Sequence, residues 1–138
     1  MEIIGRLNEV SALITRDHLQ PGFERFGLQG GEFDVLATLR RAGAPFTLTP
    51  TALYEATMLS SGGMTARLDR LQARDLIRRQ PNPDDRRGTL VALTDAGLAL
   101  IDQAIGPHAE NETRLMSALS AQERTQLNGL LRQLRAAL

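Results

Sequence analysis

Apolar residues recur at helical spacing along most of this chain and give way to alternation at one place. Ile3, Leu7, Val10 and Ile14 share a face and predict a helix over residues 2–19. Pro21-Gly22 interrupts that pattern; Phe23 and Phe26 resume it before Gly27. Residues 31–42 predict a second helix, with Phe33, Leu36 and Leu39 on its apolar side. Arg40-Arg41 sit in its last turn, where cations complement the helix dipole, and Gly43 and Pro45 mark its stop.

Thr49-Pro50 is an N-cap followed by proline at the first helical position, so a short helix of about two turns begins there. After "TMLSSGG", Ser60 or Ser61 caps a further helix with Met64, Leu68 and Leu71 inward. Two helices so close, the first too short to stand alone, form a helix-turn-helix pattern. "LIRRQ" and "TLVALT" then flank a Pro/Asp/Gly cluster and read as a β-hairpin. Thr94 caps a helix from Asp95 with Leu98, Ile101 and Ile105 in phase, and Gly106-Pro107 is expected to kink or end it. Ser120 and Glu123 make a capping box for the last helix, whose stripe is Leu127, Leu130 or Leu131, Leu134 and Leu138. The fold class is therefore mainly α with a small β-hairpin wing, in one domain over 1–138. Residues 31–94 are the winged helix-turn-helix lobe, and 1–27 and 95–138 carry the remaining helices.

The terminal stripes belong to neither the helix-turn-helix nor the hairpin. Either they fold back as ordinary core, or they pair with the same helices of a second copy. A homodimer is the expectation, since two-fold pairing lets a small helix-turn-helix unit read two half-sites.

Composition narrows the function. There is no cysteine, which excludes disulfides, thiolate metal sites and cysteine nucleophiles, and fits a cytoplasmic protein. No apolar run is long enough to span a membrane, and the N-terminus lacks the pattern of a secretory signal. The net charge is zero, but all 16 basic residues are arginine. Residues 1–39 hold 3 Arg against 6 acids, and residues 58–88 hold 7 Arg against 4. That basic middle points to a polyanion partner; arginine richness also follows from coding bias alone.

No enzyme signature is present. His18 and His108 have no metal spacing, and Ser61-Gly62-Gly63 lacks the lysine of a phosphate loop. No catalytic residue, cofactor or metal is expected. His18, four residues after Ile14, falls on the apolar face as a structural group or, alternatively, as a pocket-lining or pH-sensing one.

DNA chemistry fits better. Stepping about 100° per residue from the inward Met64, Leu68 and Leu71 puts Gly62, Thr65, Ala66, Asp69 and Arg70 on the outward face, with Arg67 on its flank. Small residues near the helix start allow close approach to base edges, and the helix N-terminus favours phosphate. An ordinary solvated helix could carry the same residues.

The run "LSSGGMTARLDRLQARDLIRR…PDDRRGTLVALTDAGLALI" resembles the MarR family of winged helix-turn-helix transcriptional regulators. Its signature is Asp-x-Arg, five residues, then Leu-Thr, here Asp85-Arg86-Arg87 and Leu93-Thr94. Asp75-Leu76 stands where the family has Gly-Leu, a position that wants a left-handed backbone. The resemblance implies a dimer of winged-helix lobes, with helix 60–73 in the major groove of double-stranded DNA at a pseudo-palindromic operator. It implies repression, relieved by a small phenolic or aromatic acid bound between the dimer helices and the lobe.

The DNA-binding set is then Ser60, Ser61, Gly62, Thr65, Ala66, Arg67, Arg70, Asp85, Arg86 and Arg87. In the wing, the prolines and Gly88 would shape the hairpin and Asp84 would cap its turn. Asp85 would accept hydrogen bonds from Arg87 and aim it into the minor groove, while Arg86 takes phosphate. "LTPTALY", "MLSSGGMT" and "DRRG" further resemble the urate-responsive branch, where Asp34 and Arg67 match ligand-site positions; with His18 they form the candidate ligand set. That branch uses a tryptophan that this chain lacks, and the absence of cysteine separates it from peroxide sensors. The alternative is a winged-helix dimer acting through protein partners without operator binding.

Overall fold

A computed structural model describes residues 2–57, 59 and 61–138. Helix α1 (Glu2–Leu13) runs without a break in helical backbone into a π-helical turn (Ile14–Leu19) and α2 (Gln20–Glu24). Pro21-Gly22 therefore does not interrupt the helix as expected. The wider π turn absorbs the mismatch: Gln20 N–H donates to the Thr15 carbonyl five residues back, and Pro21 enters the new helix in its first turn, where a missing N–H costs nothing.

Helix α3 (Gly30–Arg41) follows, then β1 (Thr47–Leu48) and α4 (Pro50–Ala56). Gly43 takes a positive φ of 79° past the end of α3. Thr49 caps α4 as expected, its hydroxyl accepting the Ala52 N–H at 3.1 Å. A 3-10 turn (Ser61–Gly63) leads into α5 (Met64–Ala73), whose N-cap is Gly63 with no side-chain cap. So α5 starts at Met64, later than the residue 60 expected. Ser60 and the side chain of Ser61 lie outside the described residues.

β2 (Ile77–Asn82) and β3 (Asp85–Leu93) form the hairpin. Its strands reach further than the β-prone runs suggested: the pairing extends to Asn82 opposite Asp85, so Pro83-Asp84 alone makes the turn. β1 adds a third antiparallel strand in the order β1-β3-β2, which the sequence did not announce. Helix α6 (Asp95–Met116) carries Pro107 in its interior and continues for nine residues beyond it, so Gly106-Pro107 does not end it. Proline removes one i→i−4 bond there, and α6 stays anchored through Gly97, Ile101 and Ala104, buried against the lobe. The capping box of Ser120 and Glu123 opens α7 (Ala121–Ala136).

The core lies inside the lobe. Phe33, Leu36 and Leu39 of α3, Leu53 of α4, Met64, Leu68 and Leu71 of α5, and Ile77, Val91 and Leu93 of the sheet pack with Phe23 and Ile101. The expected inward faces of α3 and α5 are these residues. The lobe closes at one crowded point. Thr94 donates its hydroxyl to the Asp75 carbonyl at 2.6 Å, accepts the Gly97 N–H, and gives its own N–H to Leu76. Gly97 is pressed so close to Leu76 that a Cβ there would overlap the Leu76 carbonyl. Asp75 takes the left-handed backbone expected of it, at φ 58°.

The terminal helices differ. Neither α1 nor α7 buries a residue; Ile3 is 73% exposed and Leu130 64%. Their stripes face a groove of about 760 Å³ lined by Ile3, Leu7, Val10, Leu119, Leu127 and Leu131. The stripes are not ordinary core of this chain. Among the described residues no helix is long and apolar enough to cross a membrane.

Candidate nucleic-acid interface and effector cleft

Burial of Met64, Leu68 and Leu71 turns the opposite face of α5 to solvent. Gly62, Thr65, Ala66, Asp69 and Arg70 are all exposed. The face is small at its start and polar beyond. It is also braced on three sides. The Arg70 Nε donates to Glu32 of α3 at 3.3 Å. Arg74, at the C-terminal end of α5, donates to the carbonyls of Gly27 at 2.5 Å and Phe26 at 3.5 Å. Arg79 of β2 reaches back to Asp69 at 2.8 Å and to Gln72 at 3.0 Å, tying the wing's first strand to α5. The sequence offered no sign of these braces beyond the abundance of arginine.

Arg67 departs from its expected flank position. Its guanidinium folds back between Gly31 of α3 and Gly63, where a Cβ on either glycine would overlap it. The Nη1 atom is buried with no hydrogen-bond partner among the described residues. A buried donor without an acceptor is costly.

The wing tip is built differently. Arg86 and Arg87 are exposed, and their guanidinium groups have no hydrogen-bond partner among the described residues. Asp85 does not aim the Arg87 side chain as expected. Its Oδ1 instead accepts the Arg87 backbone N–H at 3.0 Å, because a carboxylate two residues back in a tight turn reaches the main chain first. Asp84 is not the cap either: Asn82 Oδ1 accepts the Asp84 N–H at 3.0 Å. Gly88 lies within β3 and contributes room, since a Cβ there would crowd the Asp85 carboxylate.

The ligand candidates separate. Asp34 faces a cleft of about 420 Å³ between the π turn, α3 and α6, lined also by Thr15, Leu19, Phe23, Leu59 and His108. Crowding by these walls raises the Asp34 carboxyl above its ordinary 3.8, opposed chiefly by His108 and then by Arg67 and Arg41. Arg67 borders the cleft through its contact with Gly31. His18 does not join them. It is exposed and lines a neighbouring pocket of about 200 Å³ with Arg25, Asn111 and Arg114, which shares Leu19, Phe23 and His108 with the cleft but not Asp34. A π turn widens the helix, so the spacing from Ile14 that put His18 on the apolar face no longer applies. His108 is the histidine the cleft uses. It packs on Phe33 and Phe23 at centroid distances of 4.5 and 5.3 Å and pairs with Glu112 at 3.0 Å. Only the fold brings His108 to Asp34, so no local motif could mark it. Among the described residues no cluster of metal-ligating side chains occurs.

Residues 26–88 match the sequence model of the MarR family. The transcriptional regulator PecS of Dickeya dadantii is 44% identical over 95% of this chain and 78% of its own length. The crystal structure of a mutant MarR from E. coli, complexed with operator DNA, superposes with a TM-score of 0.83 at 30% identity, covering 95% of this chain and 92% of that one. BpsR of Bordetella bronchiseptica, whose DNA binding is regulated by 6-hydroxynicotinic acid, superposes at 0.85 with 26% identity, covering 96% and 92%.

Proposed function

This chain belongs to the MarR family of transcriptional regulators, and on that premise we propose that it is a dimeric repressor released from its operator by a small aromatic acid. It is a DNA-binding regulator and not an enzyme. The observation that carries the finer reading is the outward face of α5. Thr65, Ala66 and Arg70 are exposed beside a wing whose Arg86 and Arg87 are unpaired among the described residues. A helix of this kind fits the major groove, and an arginine-tipped wing fits the adjacent minor groove. A protein-partner role without DNA gives no reason to keep two free arginines at the wing tip.

The apolar groove between α1 and α7 supports the dimer. Its second copy would set two α5 helices about one turn of DNA apart, as a pseudo-palindromic operator requires. The Asp34 cleft supports the effector. Leu19, Phe23 and Leu59 offer an apolar slot for a ring, and Arg67, whose guanidinium packs on Gly31 of the cleft wall, would supply a donor for its carboxylate or phenolate on turning toward it. His18 stands outside this cleft and has no part in the reading.

Selection of bound duplexes from random DNA, followed by anisotropy titration with and without benzoate- and nicotinate-type acids, tests both levels. A two-fold sequence bound at nanomolar to tens-of-nanomolar strength and released by one acid supports the proposal. Binding of equal strength to every duplex refutes operator recognition. Release that persists in Gly31→Ala, where the new methyl would evict Arg67, refutes the Arg67 site.

A further inference from the structure

The first turn of α3 grips α5 at two consecutive residues. Gly31 leaves space for the Arg67 guanidinium, and Glu32 accepts from Arg70 at 3.3 Å. Glu32 is only 3% exposed, whereas Arg70 remains 44% exposed. No other cation pairs with Glu32 among the described residues. A buried carboxylate with a single partner is a poor way to gain stability, since desolvation offsets most of the attraction. Its geometry has another consequence. Glu32 takes the Nε of a guanidinium that stays 44% exposed, and the two Nη groups make no hydrogen bond among the described residues. Those two groups form the fork that grips guanine O6 and N7. A free arginine samples many rotamers, and ordering it on binding DNA would oppose affinity.

We infer that Glu32 is a positioning residue for DNA recognition: from beneath α5 it locks the guanidinium of Arg70 so that its outer edge reads one guanine in each half-site. This rests on the operator-binding reading above. Glu32 touches no DNA. It acts through Arg70, and the same contact couples the turn that borders the Asp34 cleft to the reading head.

A double-mutant cycle on the full chain tests it, with the selected operator and a set of single-base variants as probes. Melting temperature is measured for every variant. Glu32→Gln keeps the shape and removes the charge; it should weaken operator binding about tenfold and flatten the preference at one symmetric base pair. Arg70→Ala should do at least as much, and Glu32→Gln added to it should change nothing further. Arg70→Lys would still neutralise Glu32, so it should keep the melting temperature while losing the base preference. Wild-type affinity in Glu32→Gln overturns the inference. So does a full-size Glu32→Gln effect in the Arg70→Ala background, or an intact base preference in Arg70→Lys. If the wild-type chain selects no sequence at all, it is the operator reading that fails.

Discussion

Helix α5 and the wing tip both present arginine to solvent, but they hold it in opposite ways. On α5 and its neighbouring strand, guanidinium groups are tethered: Arg70 to Glu32, Arg74 to the carbonyls of Gly27 and Phe26, Arg78 to Gln80, and Arg79 to Asp69 and Gln72. At the wing, Asp85 and Asn82 fix the backbone of the turn, and the guanidinium groups of Arg86 and Arg87 have no partner among the described residues. A tethered arginine has lost its rotamer freedom before DNA arrives and can distinguish one base edge from another. An untethered one can follow a groove or a phosphate wherever the duplex offers it, at the expense of ordering on binding. On the proposed DNA-binding reading, the two regions would divide recognition into a rigid reader and an adaptable clamp.

That contrast is open to direct attack. Arg70→Ala is expected to have the largest effect, roughly a 10- to 150-fold loss of operator affinity with relaxed selectivity at one base pair, read by anisotropy titration. Arg87→Ala should cost about tenfold, mostly on duplexes whose wing-facing minor groove is A·T-rich, and little on G·C-substituted ones. Arg86→Ala should weaken all sequences alike and lower the slope of log affinity against log salt by about one. If Arg87→Ala relaxed specificity as sharply as Arg70→Ala, the division between reader and clamp would collapse.

Smaller effects sharpen the account of the turn. Asp85→Asn keeps an acceptor for the Arg87 N–H and should bind DNA within about twofold of wild type, whereas Asp85→Ala should lose several-fold as the turn loosens. A large loss in Asp85→Asn would mean that charge, and so the Arg87 side chain, matters after all. The last test concerns the cleft. Crowding raises the folded-state pKa of Asp34 above 3.8, so the folded chain holds that proton more tightly than the unfolded chain. The resulting stability is present below 3.8 and is lost as pH rises through the folded value. Because the Asp34 side chain is exposed and solvent screens it, the fall is small; Asp34→Asn should remove it, leaving stability slightly flatter across that window in pH-dependent chemical unfolding.

The local grammar of the fold is legible in single residues and their near neighbours. Thr49, Thr94 and Ser120 cap the helices they precede, because an N-cap is a contact within about three residues. Met64, Leu68 and Leu71 are the buried face of α5, since helical period alone decides which residues share a side. Asp75 takes a left-handed backbone where the chain must turn sharply from α5 into β2. The outward position of Thr65, Ala66 and Arg70 follows from the same geometry, as does the exposure of Arg86 and Arg87 at a turn marked by proline and aspartate.

What tertiary structure decided is which of several available partners each long side chain takes. Arg67 turned inward because Gly31, 36 residues away, leaves a space that no neighbour along α5 reveals. Glu32 was buried because Arg70, 38 residues on, arrives to compensate it. His108 entered the cleft, and His18 left it, because helix α6 ran through Pro107 and a π turn rotated the residues before Pro21. Sequence by itself determined most of the helices, the inward faces of α3 and α5, and the exposure of Arg70, Arg86 and Arg87, all products of short-range sterics and periodicity. Only packing could determine which arginines are tethered and which are free, because a guanidinium on a flexible stem finds its acceptor by distance in space and not by distance along the chain.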